Sequence, residues 1–318
     1  MNHELDSIKV SVIIPTYNRA IEIEKAVRSV ILQTLKEIEI IVVDDNPPES
    51  QARRDTRAVI NQLKKDDQRI IYIEHPRNLN GAVARNSGLK VAKGVVIAFL
   101  DDDDCYLPEK LEKQFELLMS LDDCYGGIVS NCNIIRDGQI VRVLDVSDEE
   151  NAIVNVLACV YNMGSGSNLF VKKSVIDDIG GFDERLLRHQ DYDFLARFFQ
   201  KYKMKKIHEP LFQIEQRSAH LNTPNLKKLE NAKAIYIENH RGVINKLPTV
   251  DMNYVYYNQY ISLAETAIRS KDRKAEKKYC QLASQYLNIG FKQKVRMSLL
   301  KFYVALPGGL RKRIKIAK

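Results

Sequence analysis

Short, mainly apolar segments alternate with helix-like segments through the first hundred residues, and this alternation limits the possible folds more than any other feature of the chain. The apolar segments cover 10–14, 38–43, 70–73 and 95–100, and the stretches between them place apolar residues at helical spacing. Strands that are apolar throughout are buried on both faces, as they are in parallel sheets. Strands that alternate with helices form βαβ units. We therefore expect an α/β fold with an open, mostly parallel sheet flanked by helices.

The pattern changes after residue 100. Two apolar segments flank Asp137-Gly138, which is typical of a β-hairpin, and helical spacing returns over 191–203. Beyond residue 222 the spacing is helical almost to the end, so we expect a helical C-terminal extension over 221–318.

Composition and charge exclude several classes of protein. Hydrophobic residues make up 45% of the chain and charged residues 28%, which excludes wholesale disorder. The segment 277–318 holds 11 basic and no acidic residues, so the first 276 residues carry 38 basic and 41 acidic groups, a net charge of −3. A nucleic-acid-binding domain would carry positive charge across a folded surface. We therefore expect no nucleic-acid partner.

The basic tail is also amphipathic. Five of its apolar residues fall within about 80° of one another on a helical wheel, namely Phe291, Val295, Leu299, Phe302 and Leu306. Such a helix either packs on the main domain with a solvated basic face or lies on an anionic membrane surface. Our hypothesis is the second, which places the protein in the cytoplasm, peripheral on the inner face of the cell membrane.

Polar side chains follow three of the predicted strands. They are Pro15, Thr16, Tyr17 and Arg19 after the first strand, Asp44 after the second, and Asp101, Asp102, Asp103 and Asp104 after the fourth. Because ligands bind outside the carboxyl ends of strands in open α/β sheets, we expect these side chains to line one site. Carboxylate oxygens suit hard cations such as Mg²⁺ or Mn²⁺. The alternative is that the Asp-rich turns only cap the helices that follow, which suits Asp44-Asp45 better than four consecutive aspartates.

Several familiar motifs do not occur in the sequence. There is no G-x-x-x-x-G-K-[ST], no G-x-G-x-x-G and no G-x-S-x-G, which argues against P-loop, Rossmann and α/β-hydrolase sites. There is no C-x-x-C pair either, so a zinc site is not expected. Phosphates would then be held by a metal, by backbone groups, or by cations such as Arg19 and Arg85.

A second polar cluster lies at 180–184 and 189–193. Asp191 precedes apolar residues at helical spacing, so it lies near the N-terminus of a helix. From spacing alone, Asp191 either caps this helix or supplies a base to the site.

Taken in order, these segments resemble the family 2 glycosyltransferases, which have the GT-A fold. The matching segments are 10–19, 41–45, Gly81 with 84–88, 98–104, 181–184 and 190–193. Each segment alone is a weak signal, but the ordered set over 9–200 is specific. The resemblance implies a GT-A domain over 1–220, with a nucleotide-sugar half at about 9–106 and an acceptor half at about 107–220.

The resemblance also implies roles for the donor-side residues. Tyr17 would stack on the nucleotide base, Thr16 would line that pocket and Asp44 would hydrogen-bond the base. Asp102 would contact the ribose, and Asp103 would bind an Mn²⁺ or Mg²⁺ ion that bridges the diphosphate. The remaining nucleotide-sugar-binding candidates are Pro15, Arg19, Arg85 and Asp101.

On the acceptor side, the resemblance implies that Asp191 is the catalytic base. One base and one metal suit a single in-line displacement with inversion at the anomeric carbon, whereas glycosidases need two paired carboxylates. The implied function is transfer from a nucleotide-sugar donor, with a UDP-sugar favoured, to a glycan or lipid-linked acceptor in surface polysaccharide synthesis. The alternatives are a nucleotidyltransferase with a similar sheet and a non-catalytic sugar-nucleotide-binding protein.

The chain departs from the family's pattern at three positions. The second motif continues with Asn46-Pro47-Pro48 instead of Gly-Ser, Gln190 replaces the common Glu before the base, and Asn80 stands where many members have Gly. None of these changes removes a group that the chemistry needs.

Overall fold

A computed structural model describes residues 8–147, 150–216 and 225–305. These residues form two compact units. The first unit comprises the described residues up to Ala152, together with Asn162–Glu184 and Asp193–Gln216. The second comprises Ile153–Tyr161, Arg185–Tyr192 and the described residues from 225 onward.

The first four strands of the first unit form the parallel sheet that the sequence predicts. They are β1 (Val10–Thr16), β2 (Ile38–Asp44), β3 (Ile70–Glu74) and β4 (Val96–Phe99), arranged in the order β3-β2-β1-β4. All three pairings are parallel, and every residue of β2 and β4 is buried. Their apolar side chains form the main core of this unit. The carboxyl ends of β1 and β2 therefore lie side by side, with Thr16 in register with Asp44.

Three helices connect these strands, as the βαβ pattern predicts. They are α1 (Ala20–Ile31), α2 (Gln51–Asp66) and α3 (Gly81–Val91). Ser50 caps α2 through a hydrogen bond to the backbone N–H of Arg53. Asn80 caps α3 with a φ of 87° and a ψ of 164°, so the residue that replaces the family's Gly occupies a backbone region that is otherwise almost confined to glycine.

The sheet continues with five further strands that pair mainly in antiparallel fashion. They are β5 (Asp104–Tyr106), β6 (Tyr125–Arg136), β7 (Gln139–Leu144), β8 (Phe170–Lys172) and β9 (Lys203–Glu215). They extend the order as β4-β8-β6-β9-β5, with β7 paired to β6. The predicted hairpin is confirmed, because Asp137 and Gly138 join β6 to β7 with φ angles of 52° and 76°.

Helices lie between these strands along the chain. They are α4 (Lys110–Ser120), α5 (Ala152–Leu157), α6 (Lys173–Ile179) and α7 (Gln190–Phe198). The helix predicted over 191–203 is α7, but it ends at Phe198, and the chain enters β9 at Lys203. The open α/β fold flanked by helices is thus confirmed.

The second unit is helical through its C-terminal part, as predicted. Its helices are α8 (Leu226–Ile244), α9 (Thr249–Arg269), α10 (Arg273–Ser284) and α11 (Phe291–Ala305). They enclose a small core of buried side chains, namely Leu229, Leu263, Ala264, Ile268, Tyr279 and Met297. Leu306 and the basic residues after it lie outside the described residues. No helix within the described residues combines the length and hydropathy that a membrane crossing requires.

Candidate active site

The ends of β1 and β4 are joined by hydrogen bonds to one carboxylate, Asp102. Its Oδ2 accepts from Thr16 Oγ1 at 2.8 Å and from the Tyr17 backbone N at 3.3 Å. Its Oδ1 accepts from Arg19 Nη1 at 2.6 Å, and Arg19 Nη1 also lies 2.8 Å from Asp103 Oδ2. Four residues predicted for the donor side, together with Asp103, therefore form one network.

Burial decides which of these groups can meet a ligand. Thr16 and Asp102 are buried, whereas the Tyr17 side chain is 45% exposed and can offer a ring face. Pro15, in β1, is half-buried. Burial raises the pKa of Asp102 to about 6, against the lowering effect of Arg19 and of the Thr16 hydrogen bond. Asp102 is therefore a buried anchor, while Tyr17, Arg19 and Asp103 form the accessible surface.

Asp101 pairs with the other predicted cation, Arg85, on α3. Arg85 Nη2 donates to Asp101 Oδ1 at 2.5 Å, and the guanidinium lies 5.7 Å from the centre of the Phe182 ring. A Cβ at Gly166 would lie 3.4 Å from both members of this ion pair. The absence of a side chain at Gly166 therefore lets the pair approach the backbone closely.

The last aspartate of the run, Asp104, faces inward. Its Oδ2 accepts from Ser165 Oγ and Ser167 Oγ, each at 2.6 Å, and Ser167 Oγ also accepts from the Asp101 backbone N. Burial and the charge of Asp101 raise the pKa of Asp104 to about 8. Ser165 and Ser167 are not among the site residues that the sequence predicts. The polar run Gly164-Ser165-Gly166-Ser167-Asn168 before β8 was the available signal.

Asp44 lies beneath the site and not at its surface. Its side chain is fully buried, and its Oδ1 accepts from the backbone N and side-chain Nδ2 of Asn46. Its Oδ2 accepts from Tyr72 Oη at 2.5 Å and lies 3.0 Å from Arg53 Nε. Both carboxylate oxygens are thus occupied within the chain, which does not favour the direct contact with a base that we expected of Asp44.

Arg53 and Asp45 fix the loops around Asp44, and neither belongs to the site residues that the sequence predicts. Arg53 is 2% exposed and donates from Nη2 to the backbone oxygens of Asp44, Asn46 and His75. Asp45 accepts from the backbone N of Leu79 and of Asn80 and from the Asn78 side chain. The loop that departs from the family's Gly-Ser pattern is therefore held by buried polar contacts.

The oxygen-rich end of β4 matches the ligand preference of Mg²⁺ and Mn²⁺. No three His, Cys, Asp or Glu side chains within the described residues converge on one possible metal position. Mg²⁺ is commonly held by one or two carboxylates together with substrate phosphates, so a complete protein cage is not required. The side chains of Asp101 and Asp103 are 27% and 23% exposed, which leaves carboxylate oxygen accessible. The carboxylate oxygens of Asp101 and Asp103 therefore suit a divalent cation.

Asp191 belongs to the second unit, where it is the second residue of α7. Its Oδ1 accepts a hydrogen bond from the Tyr192 backbone N at 2.9 Å. The Tyr192 ring packs edge-on against the neighbouring His189 ring, and burial lowers the pKa of His189 to about 3. His189 Nδ1 and Gln190 Oε1 are buried and have no hydrogen-bond partner among the described residues. Since buried polar atoms are normally paired, these two are available to water or to a ligand hydroxyl.

The sequence of this chain matches the model of a known protein family. The model of glycosyl transferase family 2 matches residues 11–180, which is more than half of the chain. The protein therefore belongs to glycosyl transferase family 2 and is a glycosyltransferase.

Individual relatives agree with this assignment. An uncharacterised glycosyltransferase of Haemophilus influenzae is 29% identical over 280 residues, covering 85% of this chain and 88% of its own. The GalNAc(5)-diNAcBac-PP-undecaprenol β-1,3-glucosyltransferase of Campylobacter jejuni is 38% identical over 135 residues, which are 42% of this chain and 41% of that protein.

Among solved structures, residues 1–349 of S. aureus TarS superpose with a TM-score of 0.60 at 15% identity, covering 93% of this chain and 90% of that one. TarS has also been solved with UDP and with UDP-GlcNAc. At this level of identity the similarity shows a shared GT-A type fold.

Proposed function

We propose that the protein is an inverting glycosyltransferase that moves a sugar from a UDP-sugar to a hydroxyl group of a glycan or lipid-linked glycan in surface polysaccharide synthesis. The observation that carries this proposal is the network at the ends of β1 and β4, in which Asp102 and Asp103 share Arg19 beside the exposed ring of Tyr17.

For the donor, Tyr17 stacks on the uracil base and Thr16 lines the pocket. Asp102 is buried and bonded to Thr16 and Arg19, so it holds these residues beside the ribose, and Arg19 faces the diphosphate. Asp44 holds the loop at Asn46 from beneath, since its own oxygens are already bonded. Asp101 and Arg85 support the transferred sugar. TarS, which shares the fold, has been solved with UDP and with UDP-GlcNAc, and this supports the proposal of a UDP-sugar donor.

Asp103, with Asp101 beside it, would hold an Mn²⁺ or Mg²⁺ ion together with the diphosphate. When bound, such an ion supplies positive charge that stabilises the departing nucleoside diphosphate. Arg19 lies 2.8 Å from Asp103 and adds a second positive charge on the same side. Because the leaving group departs as a stabilised anion, this chain needs no general acid for it.

Asp191 is the catalytic base. Its position in the first turn of α7 favours the ionised carboxylate, because the positive end of the helix dipole lies there. Asp191 removes the proton of the acceptor hydroxyl, and the acceptor oxygen forms a bond to the anomeric carbon as the bond to the diphosphate breaks. Attack from the face opposite the diphosphate inverts the anomeric configuration.

The proposed acceptor is a glycan or a lipid-linked glycan, and the proposed place of action is the cytoplasm at the inner face of the cell membrane. This part of the proposal is supported by the Campylobacter relative, whose name describes an undecaprenol-linked glycan as its acceptor.

The metal-binding role of Asp103 is tested by Asp103→Ala. We expect turnover of a UDP-sugar to fall at least ~100-fold. The change removes the carboxylate that holds the metal ion, and the charge of that ion stabilises the leaving group. Asp123→Ala, at a fully exposed carboxylate of the same unit, is the matched control and should retain activity. Donor hydrolysis is measured with Mn²⁺, with Mg²⁺ and in excess EDTA. Full activity in EDTA would contradict the metal requirement.

A further inference from the structure

Helix α11 has two apolar faces, and within the described residues only one of them packs against other helices. Met297 is 6% exposed and joins the core of the second unit, with Leu300 packed beside it. The other face carries Phe291, Val295, Leu299 and Phe302, with exposures of 81%, 40%, 55% and 63%. We call these four residues the outer stripe.

The outer stripe differs from ordinary surface apolar residues. Single exposed apolar side chains are normal on a protein, but contiguous exposed apolar patches mark interaction surfaces. The four residues recur at intervals of four, four and three along one helix, so they form one continuous strip. Their exposure also shows that the outer stripe is not the surface by which α11 packs on the protein, because Met297 and Leu300 on the opposite side make that contact.

The charges around α11 identify the chemistry of the partner. The acidic side chains that neighbouring helices present to α11 are Glu265, which pairs with Arg296, and Glu276, which pairs with Lys301. Within the described residues, Lys292 and Lys294 have no acidic partner, and they flank the outer stripe on its two sides. The sequence after residue 305 adds five basic and no acidic residues.

We propose that the outer stripe inserts into the surface of an anionic lipid bilayer, with Lys292 and Lys294 at the level of the headgroups. An interfacial helix combines an apolar strip with flanking basic residues, and here both are present on the same side of α11. The excess of positive charge favours anionic lipid over a second copy of this chain, whose α11 would carry the same charge. The inference rests on α11 alone and does not depend on the donor or acceptor.

Vesicle flotation of the full chain tests the proposal. We expect the protein to float with vesicles made of equal parts of phosphatidylcholine and phosphatidylglycerol, and to float far less with phosphatidylcholine alone. Added salt should release it, because exposed charges are screened. Failure to float with the anionic vesicles, or equal flotation with neutral vesicles, would overturn the proposal.

Two variants assign the binding to α11. Phe291→Ser with Phe302→Ser should lower the vesicle partition coefficient at least ~10-fold. The matched control is Val143→Ser with Val250→Ser, which changes two exposed apolar residues elsewhere and should leave flotation unchanged. If the Phe291/Phe302 variant floats like this control, the outer stripe is not the lipid contact.

The charge contribution is tested by Lys292→Gln with Lys294→Gln. Binding to anionic vesicles should fall ~10-fold or more, since each basic residue near an anionic leaflet strengthens binding several-fold. Lys227→Gln with Lys228→Gln makes the same charge change at two exposed lysines of α8 and should have a smaller effect. Equal effects of the two pairs would contradict the placement of the charges beside the outer stripe.

The alternative to lipid as the partner of the outer stripe is a second copy of the chain. Sedimentation equilibrium should show a monomer–oligomer distribution that is the same for the wild type and for the Phe291/Phe302 variant. An oligomer that dissociates in this variant would overturn the lipid proposal and assign the outer stripe to a subunit contact. UDP binding measured on every variant shows that the donor side is folded, so a failed donor assignment remains distinguishable from a failed lipid assignment.

Discussion

Single buried charges hold the loops of the donor side in place. Arg53 is the clearest case, because it is enclosed between α2 and the ends of β2 and β3 and contacts one carboxylate and three backbone oxygens. Removing one partner of a buried ion pair leaves the other charge without compensation. The loop at Asn46 therefore depends on a side chain that does not itself face the donor.

Replacing Arg53 should destabilise the protein strongly. We expect Arg53→Met to lower the free energy of unfolding by ~3–5 kcal/mol, the usual effect of breaking a buried pair. Arg54→Met, at the exposed neighbouring residue, should change it by ~0.5 kcal/mol or less. Urea denaturation measures both.

A double-mutant cycle shows whether the loss passes through Asp44. Adding Asp44→Asn to Arg53→Met removes the uncompensated charge, so the double variant should recover part of the loss. A variant Arg53→Met as stable as Arg54→Met would show that the buried pair contributes little.

Lys110, at the start of α4, gives the protein a defined pH dependence. Its side chain is fully buried, donates to Gln114 Oε1 at 2.5 Å and lies over the rings of Tyr106 and Phe212. Burial lowers the pKa of Lys110 from its ordinary value of 10.5 to about 7. Between these two pH values the unfolded state binds more protons, so this group makes stability rise with pH.

Lys110→Met should remove this contribution. We expect the wild type to gain at least ~1 kcal/mol more than the variant between pH 6 and pH 9. Comparing the pH slopes avoids the separate effect of leaving Gln114 Oε1 without its donor. Thermal or urea unfolding at the two pH values measures the difference, and parallel slopes would mean that the Lys110 pKa is not lowered.

At the scale of elements, close packing of α3 on β1 sets the floor of the site. A Cβ at Gly88 would lie 2.5 Å from Ile13 Cγ2, so the helix can lie this near to the strand only with glycine there. Asn80 caps α3 and Arg85 extends from this helix, so the position of α3 also places the partner of Asp101.

Two glycine substitutions in helices should have opposite effects. Gly88→Ala should destabilise the protein by ~1–3 kcal/mol, because the added methyl forces α3 away from β1. At Gly242 in α8 an added Cβ meets nothing within 4 Å. Gly242→Ala should therefore stabilise it by up to ~1 kcal/mol, since alanine is the better helix former. Calorimetric melting of both variants checks the pair, and similar shifts in both would contradict this account of the packing.

The elements of the first hundred residues could be predicted from sequence because the strands are buried on both faces. A run such as that of β2 must be mainly apolar, and helical spacing then separates one strand from the next. The strands β5 and β8 have three residues each, which is too short to show an alternation of apolar and polar residues. The strand β9 mixes buried and exposed positions irregularly, so its pattern does not distinguish it from the helix before it.

The residues at the strand ends that line the site could be predicted from sequence, but the buried residues that support them could not. Strand ends, an ordered set of motifs and a run of aspartates were enough to name Tyr17, Asp102, Asp103 and their neighbours. Arg53 was missed because a charged residue in an otherwise polar helix normally indicates a solvated face, and here it points inward. The pairing of Ser165 and Ser167 with Asp104 required knowledge of how β5 and the segment before β8 come together.

For the whole molecule, the proposed roles are divided between the two units. The first unit contains the donor-side network around Asp102, and the second contains Asp191 and α11. The functional division at residue 220, and the division of the first part at about 106, stay predictions. The central claim is that Asp191 acts as the base of an inverting transfer from a UDP-sugar.

The configuration of the sugar released from an α-linked UDP-sugar tests this claim most directly. Time-resolved NMR of donor turnover follows the anomeric proton before the free sugar equilibrates in solution. We predict that the wild type releases the β-anomer first and that Asp191→Asn binds UDP normally but turns over ~10²–10⁴-fold more slowly, the usual contribution of a positioned base. Asn supports a helix start about as well as Asp, so stability should hardly change. Retention of the α-configuration, or near wild-type turnover by Asp191→Asn, would contradict the assignment.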